Sequence, residues 1–284
     1  MSNTVSFDTY TDITDLEFFS LSKTVDCGQC FRFFEKDGYI YGIALDKCIK
    51  ALQTDDKTVR LFTNADDLPF WRNYFALDTD YKSIRDSLPS DETSLLSKEI
   101  SAGIRILNQD RWEALCSFII SQNNNIPRIK KLIEALSKEF GDKIETSDGI
   151  FYSFPKAEKI ASADIESLRA LKLGFRAEYV LDTAKKVVNE PDFLEKVSLL
   201  DTKEATKLLC EIKGVGPKVA SCALLFGFGK KDAFPIDVWV KRILDKYYPT
   251  LSYEKAGEYF GEYAGIAQQY LFYYERYVVS EKKG

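Results

Sequence analysis

The chain has 284 residues, 45% of them hydrophobic, with 20 Phe and 16 Tyr, enough apolar material for one or two packed domains. It has no histidine, which excludes Ser-His-Asp and Cys-His catalysis and any His-ligated metal; acid–base chemistry must run on Lys, Asp, Glu, Tyr or Cys. The net charge of −5 taken as a sum argues against a nucleic-acid partner, but basic residues gather locally at Arg128/Lys130/Lys131, Lys172/Arg176, Lys213/Lys218, Lys230/Lys231 and Lys241/Arg242. Each such cluster taken alone reads as a solvated helix face.

No apolar run approaches the ~20 residues of a membrane span. The first residues lack the basic-then-apolar order of a secretory signal, so a cytoplasmic protein is expected, with no membrane partner. Cys27, Cys30, Cys48, Cys116, Cys210 and Cys222 read as free thiols in apolar surroundings. Cys27-Gly-Gln-Cys30 is an isolated CxxC without the further ligands that a zinc site needs, and no cluster of four cysteines suggests an iron–sulfur centre.

In chain order, the first hundred residues predict a meander of antiparallel strands. Cys30–Phe34 and Tyr39–Ile43 flank the Asp37-Gly38 turn, and Lys47–Leu52 and Thr58–Phe62 follow. Two short helices are predicted over Pro69–Phe75 and Tyr81–Leu88. From about residue 91 the period is helical. Asp110 caps a helix over Arg111–Ser121, Pro127 opens the next, and Asp164 caps a short one ending at Leu171. Further helices are predicted over Ala177–Val188, Lys203–Ile212, Pro217–Phe226, Val238–Tyr247 and Tyr253–Tyr274. The expected fold class is α+β: an N-terminal antiparallel β domain over residues 1–105, then an all-helical region over 106–284.

Within that region, Lys203–Ile212, Lys-Gly-Val-Gly and Pro217–Phe226 form a helix-hairpin-helix. Gly214 and Gly216 are expected to supply positive φ and close backbone approach, with Pro217 in the first helical turn. Backbone amides at such a helix start can hold a phosphate, which gives Gly214, Gly216 and Val219 as candidate phosphate contacts. The plain reading is an αα-corner with structural glycines. Lys218 then serves as a phosphate contact without chemistry, or as an amine nucleophile. Asp237 serves as the N-cap of the next helix, worth ~1 kcal/mol, or as an electrostatic partner of that amine; both roles are compatible.

The segment from the hairpin to Pro235 and Asp237 resembles the helix-hairpin-helix "GPD" superfamily of DNA glycosylases, whose bifunctional members carry a lysine and an aspartate at the places of Lys218 and Asp237. Four further segments resemble the 8-oxoguanine DNA glycosylases with abasic-site lyase activity. They are Cys27-Gly-Gln-Cys-Phe-Arg32, Asn123-Asn-Asn-Ile-Pro-Arg128, Leu173-Gly-Phe-Arg176 and Ala264-Gly-Ile-Ala-Gln-Gln-Tyr-Leu-Phe272. The resemblance covers nearly the whole chain, with the motifs in order.

It implies excision of 8-oxoguanine from duplex DNA, opposite cytosine, by base flipping. Lys218 would form a Schiff base at sugar C1′ and promote β-elimination, with Asp237 stabilising the cationic sugar. Gly28 would offer its carbonyl to the N7 hydrogen that guanine lacks, and Gln268 would read the Watson–Crick edge. Phe272 and Cys222 would sandwich the base, with Phe226 lining the same pocket. Asn123 would fill the vacated space, Phe175 would wedge the stack, and Arg128 and Arg176 would bind the estranged cytosine. The carbonyls of Cys210, Ile212 and Val215 match a structural cation site; no cofactor is expected for catalysis. The expected protein is a monomeric prokaryotic enzyme.

Taken singly, these residues have simpler readings: Asn123–Asn125 as a helix-ending turn, Phe175 and Phe272 as core aromatics, Gln268 as an exposed helical residue, Gly28 as a bulge. The alternatives to 8-oxoguanine excision are a related glycosylase for another damaged base and a non-catalytic DNA-binding module. Two departures from the family pattern stand out: Trp239 where a histidine is usual, and Lys213 where many members have proline.

Overall fold

A computed structural model describes residues 5–279, with side chains through residue 276. The N-terminal half carries a five-stranded antiparallel sheet. Its strands are β1 (Thr11–Ile13), β2 (Phe33–Lys36), β3 (Tyr39–Ala44), β4 (Lys47–Asp55) and β5 (Thr58–Phe62), in the order β1-β5-β4-β3-β2. Asp37 and Gly38 both adopt positive φ, 53° and 77°, the left-handed pair that matches hairpin twist and explains the tight β2–β3 turn. The predicted first strand begins three residues late, at Phe33. Cys27–Arg32 is instead an irregular turn in which Gly28 has φ +84°. One face of the sheet packs Phe33, Ile49 and Leu61 against Trp71, Tyr74 and Phe75 of the segment that follows.

The helical region begins with helix Arg111–Ile120, capped as predicted by Asp110, whose Oδ1 accepts the Glu113 N–H at 2.9 Å. Helix Ile126–Phe140 is capped by Asn125. A second hairpin of strands, β6 (Lys143–Thr146) and β7 (Gly149–Tyr152), interrupts the helices. The region is therefore not all-helical as expected, and Asp148-Gly149 carries the turn chemistry. It is tied to the large sheet by Asp148, which accepts from Tyr41 (2.6 Å) and Lys50 (2.8 Å).

Two predicted helices are corrected. The hairpin's first helix stops at Cys210 rather than Ile212. The expected long Tyr253–Tyr274 helix is broken into a short helix Ala256–Phe260 and a buried helix Ala264–Tyr273, because Gly261 turns the chain at φ +74°. After the break, Gly265 lies where a Cβ would be 2.6 Å from the Ala233 carbonyl and inside the Leu225 side chain. Only glycine lets this helix start so tightly against the backbone of the 231–233 loop that follows helix Pro217–Gly227. One hydrophobic cluster runs from Cys27 and Phe31 through the hairpin helices to Leu271, so residues from both ends of the chain meet in it. No helix among the described residues is long and apolar enough to cross a membrane.

Glu113 is buried at the base of its helix. Burial pushes its carboxyl up to about 7, opposed by Arg32. A raised folded value means the folded state favours the protonated acid, so stability is full below about pH 4.5 and declines as pH rises through 7. Glu113→Gln cannot ionise and is expected to flatten this decline by roughly 2–4 kcal/mol between pH 5 and 8, measured by denaturant melts of both proteins.

Candidate active site

Helix Pro217–Gly227 starts at the hairpin, with Gly216 as N-cap and Pro217 in its first turn. Gly214 has φ +85°, and a Cβ there would enter the ring of Tyr179; its carbonyl accepts from Gln122 Nε2 at 2.9 Å. Gly216, expected to share the left-handed conformation, instead has φ −95°. Its role is open space: nothing lies within 4 Å of where its side chain would be. The Ile212 carbonyl accepts the Val215 N–H at 3.0 Å, closing the turn.

Lys218 projects from the first turn with its amine 5.8 Å from the centre of the Phe118 ring. Phe118 in turn stacks on Phe226 at 5.3 Å, so an aromatic floor lies under the amine. One turn on, the Cys222 thiol is pushed up by burial, while Lys218 pulls the other way and Asp237 adds to the rise. These three groups are therefore neighbours. Asp237 caps helix Val238–Tyr247, its Oδ1 accepting the N–H groups of Trp239 and Val240, both at 2.9 Å. A single oxygen serves both amides, so capping does not use Oδ2.

Lys218 and Asp237 line a cleft of about 560 Å³ whose outer wall includes Asn123, Trp239 and Lys241. They also line an inner cavity of about 60 Å³, bounded by Gly28, Cys222, Phe226, Gln268 and Phe272. Gly28, Phe118 and Phe272 also belong to both. The inner space holds a few waters at most, so a purine enters only if its walls part. Phe272 forms one such wall, with the Arg276 guanidinium 5.5 Å from its ring centre. Gln268 is 5% exposed, and its Oε1 is buried without a hydrogen-bond partner. The simple readings of Gln268 as a surface residue and Phe272 as only a core aromatic therefore do not describe these positions.

Across the cleft, Asn123 adopts φ +48° at the end of helix Arg111–Ile120. The Arg176 guanidinium is buried beneath this turn, donating to the carbonyls of Gln122 (2.8 Å), Asn123 (3.0 Å) and Leu173 (3.3 Å). Burial, and then the nearby Arg128, push its pKa down. Arg128 is exposed and has no ion pair among the described residues. Phe175 is 48% exposed, far from a core aromatic, and stands edge-on to Tyr179, whose ring packs on Gly214. The turn at 122–125, the Phe175 loop and the hairpin thus form one contiguous rim. Of the basic clusters, Lys230 is spent on the carbonyls of Ser198 and Leu200, and Lys213 lies 3.7 Å from Asp182. Lys241 faces the cleft.

Residues 12–115 match the N-terminal domain of 8-oxoguanine DNA glycosylases, and residues 116–261 match the HhH-GPD superfamily of base excision DNA repair proteins. The chain belongs to the HhH-GPD superfamily. Its architecture and motifs are those of the 8-oxoguanine branch. The N-glycosylase/DNA lyase of Saccharomyces cerevisiae is 40% identical over 189 residues, which is 62% of this chain and 50% of the yeast protein. The chain thus spans half the length of that curated relative.

Two solved structures cover nearly all of it. MBOgg1 in complex with a low affinity DNA ligand is 40% identical with a TM-score of 0.90, over 95% of this chain and 96% of that one. The Clostridium acetobutylicum 8-oxoguanine glycosylase/lyase, in complex with duplex DNA containing cytosine opposite 8-oxoguanine, is 38% identical with a TM-score of 0.86, over 95% and 98%.

Phe118, Gln122 and Gln269 were missed in the sequence. Helical periodicity marks the first as core, and nothing local marks the others. For the HhH-GPD hairpin, Gly214→Ala is expected to cost about 1–3 kcal/mol, since it combines a left-handed backbone with a clash against Tyr179. Gly216→Ala is expected to fall within about 1 kcal/mol of wild type. Thermal melts of the two variants check the contrast.

Proposed function

We propose that this protein is a bifunctional DNA glycosylase that removes 8-oxoguanine from duplex DNA opposite cytosine and then cleaves the strand at the abasic site. The observation that carries this reading is the buried, unpartnered Gln268 Oε1 in a cavity shared by Lys218, Asp237 and Gly28. A buried acceptor without a donor costs about 1–3 kcal/mol, and an N–H on the edge of a flipped purine would satisfy it. The Clostridium acetobutylicum relative, bound to a duplex of that composition, supports the same substrate.

In this reading the extruded base parts Phe272 from Cys222 and stacks between them, beside Phe226. Its N7–H donates to the Gly28 carbonyl; guanine has an acceptor at that place and would meet acceptor with acceptor. Lys218 Nζ attacks C1′ as the glycosidic bond breaks and the base leaves with the bonding pair. Asp237 Oδ2 stabilises the positive charge on the sugar and takes a proton from the attacking amine. Asp237 passes that proton to O4′ as the ring opens to the imine, then as carboxylate takes the C2′ proton, and the C3′–oxygen bond breaks with the phosphate as leaving group. The thiol of Cys222 stays protonated, as its burial demands, and acts by packing.

The phosphate backbone would lie over Gly214, Gly216 and Val219, where Gly216 leaves room and helix amides point outward. Asn123 would fill the vacated stack and Phe175 would wedge it. Arg128 is the readier reader of the estranged cytosine, since Arg176 would first have to release the carbonyls of the 122–123 turn. Trp239 takes the place of a phosphate-binding histidine, with the Arg242 guanidinium 5.2 Å from its ring centre to supply charge there.

The carbonyls of Cys210, Ile212 and Val215 are hard oxygen donors at a helix end, suited to an alkali or calcium ion bridging to a phosphate; Ile212 keeps one lone pair after its bond to Val215. The six free cysteines fit a reducing compartment, and we place the enzyme with the DNA in the cytoplasm. With a net charge of −5, binding rests on the local rim charges and is expected to weaken steeply with salt.

Borohydride added to the wild-type protein on an 8-oxoguanine:cytosine duplex is expected to trap a covalent adduct, and Lys218→Gln to trap none. A wild-type protein that yields no adduct sinks the lyase reading. Arg128→Ala is expected to reduce the preference for cytosine over adenine opposite the lesion by about tenfold or more, the worth of one good base contact. Unchanged ratios of the two cleavage rates would remove Arg128 from that role.

A further inference from the structure

The turn that carries Gly28 is held on both sides of the glycine by side chains from distant parts of the chain. Gln269 Nε2 donates to the Cys27 carbonyl at 2.8 Å, across 242 residues. Gln109 Nε2 donates to the Gln29 carbonyl at 2.8 Å, across 80 residues. The side chain of Gln29 is spent inward. Its Nε2 reaches the carbonyls of Thr24 (2.8 Å) and Arg105 (2.7 Å), and its Oε1 accepts the Leu107 N–H at 2.9 Å. Cys27, Gln29 and Gln269 are all buried, the last only 3% exposed. Neither brace uses the Gly28 carbonyl. The peptide that carries it, between residues 28 and 29, lies between two fixed peptides.

Glycine at φ +84° is conformationally permissive, and an unbraced turn would let that carbonyl swing. Telling 8-oxoguanine from guanine by one hydrogen needs an acceptor that stays in place. We infer that Gln269 and Gln109 are positioning residues for lesion specificity, locking the Gly28 carbonyl toward the base. The inference rests on the base-recognition reading above. Gln268 and Gln269, which line the same cavity, then divide the work: one reads the base, and its neighbour, bonded to the Cys27 carbonyl, holds the second reader.

Gln269→Met and Gln109→Met keep the size of the side chain and remove the donor. Each variant is assayed on an 8-oxoguanine:cytosine duplex and on a duplex with a preformed abasic site, where no base is read. The ratio of the two rates on one preparation cancels differences in the folded fraction. Each variant is expected to lose about tenfold or more in kcat/KM for excision relative to abasic cleavage. Undamaged duplex is expected to compete relatively better against the lesion duplex than it does with wild type. Equal losses in both activities, or no loss in excision, overturn the positioning role. A wild-type protein that cleaves abasic DNA but leaves 8-oxoguanine in place overturns the base assignment, and the inference with it.

Discussion

The site depends on how closely the start of helix Ala264–Tyr273 approaches the 231–233 loop that follows helix Pro217–Gly227. At Gly265 the contact leaves no room for a side chain, and the Gly265 N–H donates to the Lys231 carbonyl at 2.8 Å. That approach brings Gln268 and Phe272 to the helix that carries Lys218 and Cys222. Without it, the Lys218 amine and the side chains of Gln268 and Phe272 would not line one cavity. The glycine's lost side chain is repaid by burial: both helices sit in the same continuous core.

Buried guanidinium groups organise irregular backbone elsewhere in the fold. Arg105 is 2% exposed and donates to the carbonyls of Glu17, Phe18, Ala76, Leu77 and Thr79. Arg176 does the same for the turn before Asn123, and Arg32 ties the Gly28 segment to Ser137 and the Tyr152 carbonyl. A guanidinium has five donors in a fixed plane and can satisfy several turn carbonyls at once, where a buried lysine could not. Taking such a cation out of water is costly, and each is accepted because it orders loops that regular hydrogen bonding cannot reach. Of these loops, the 122–123 turn held by Arg176 lines the cleft.

Asp237 shows how a helix cap and a place in the cavity wall share one side chain. Its capping oxygen fixes the start of helix Val238–Tyr247, which holds the carboxylate in place at the wall of the cleft. Cys222 is the complementary case: a thiol kept neutral by burial, placed for shape and polarisability beside a cation.

Much of this was legible in the chain. The Asp37-Gly38 turn, the Asp110 and Asp237 caps, Pro217 at a helix start and the Lys218–Cys222 spacing are local signals, set by backbone sterics and helix geometry within a few residues. They gave the antiparallel sheet, the hairpin and the candidate pair Lys218 and Asp237. The order of motifs pointed to Gly28, Gln268 and Phe272. What only the tertiary structure decided is non-local. Gly261 ends a helix that periodicity would carry through, Gly216 matters for space rather than φ, and Arg176 is turned under its loop. Phe118 lies beneath an amine, and Gln269 reaches a carbonyl 242 residues away. Periodicity assigns a residue to a face, but which partner meets that face depends on packing between segments far apart in sequence.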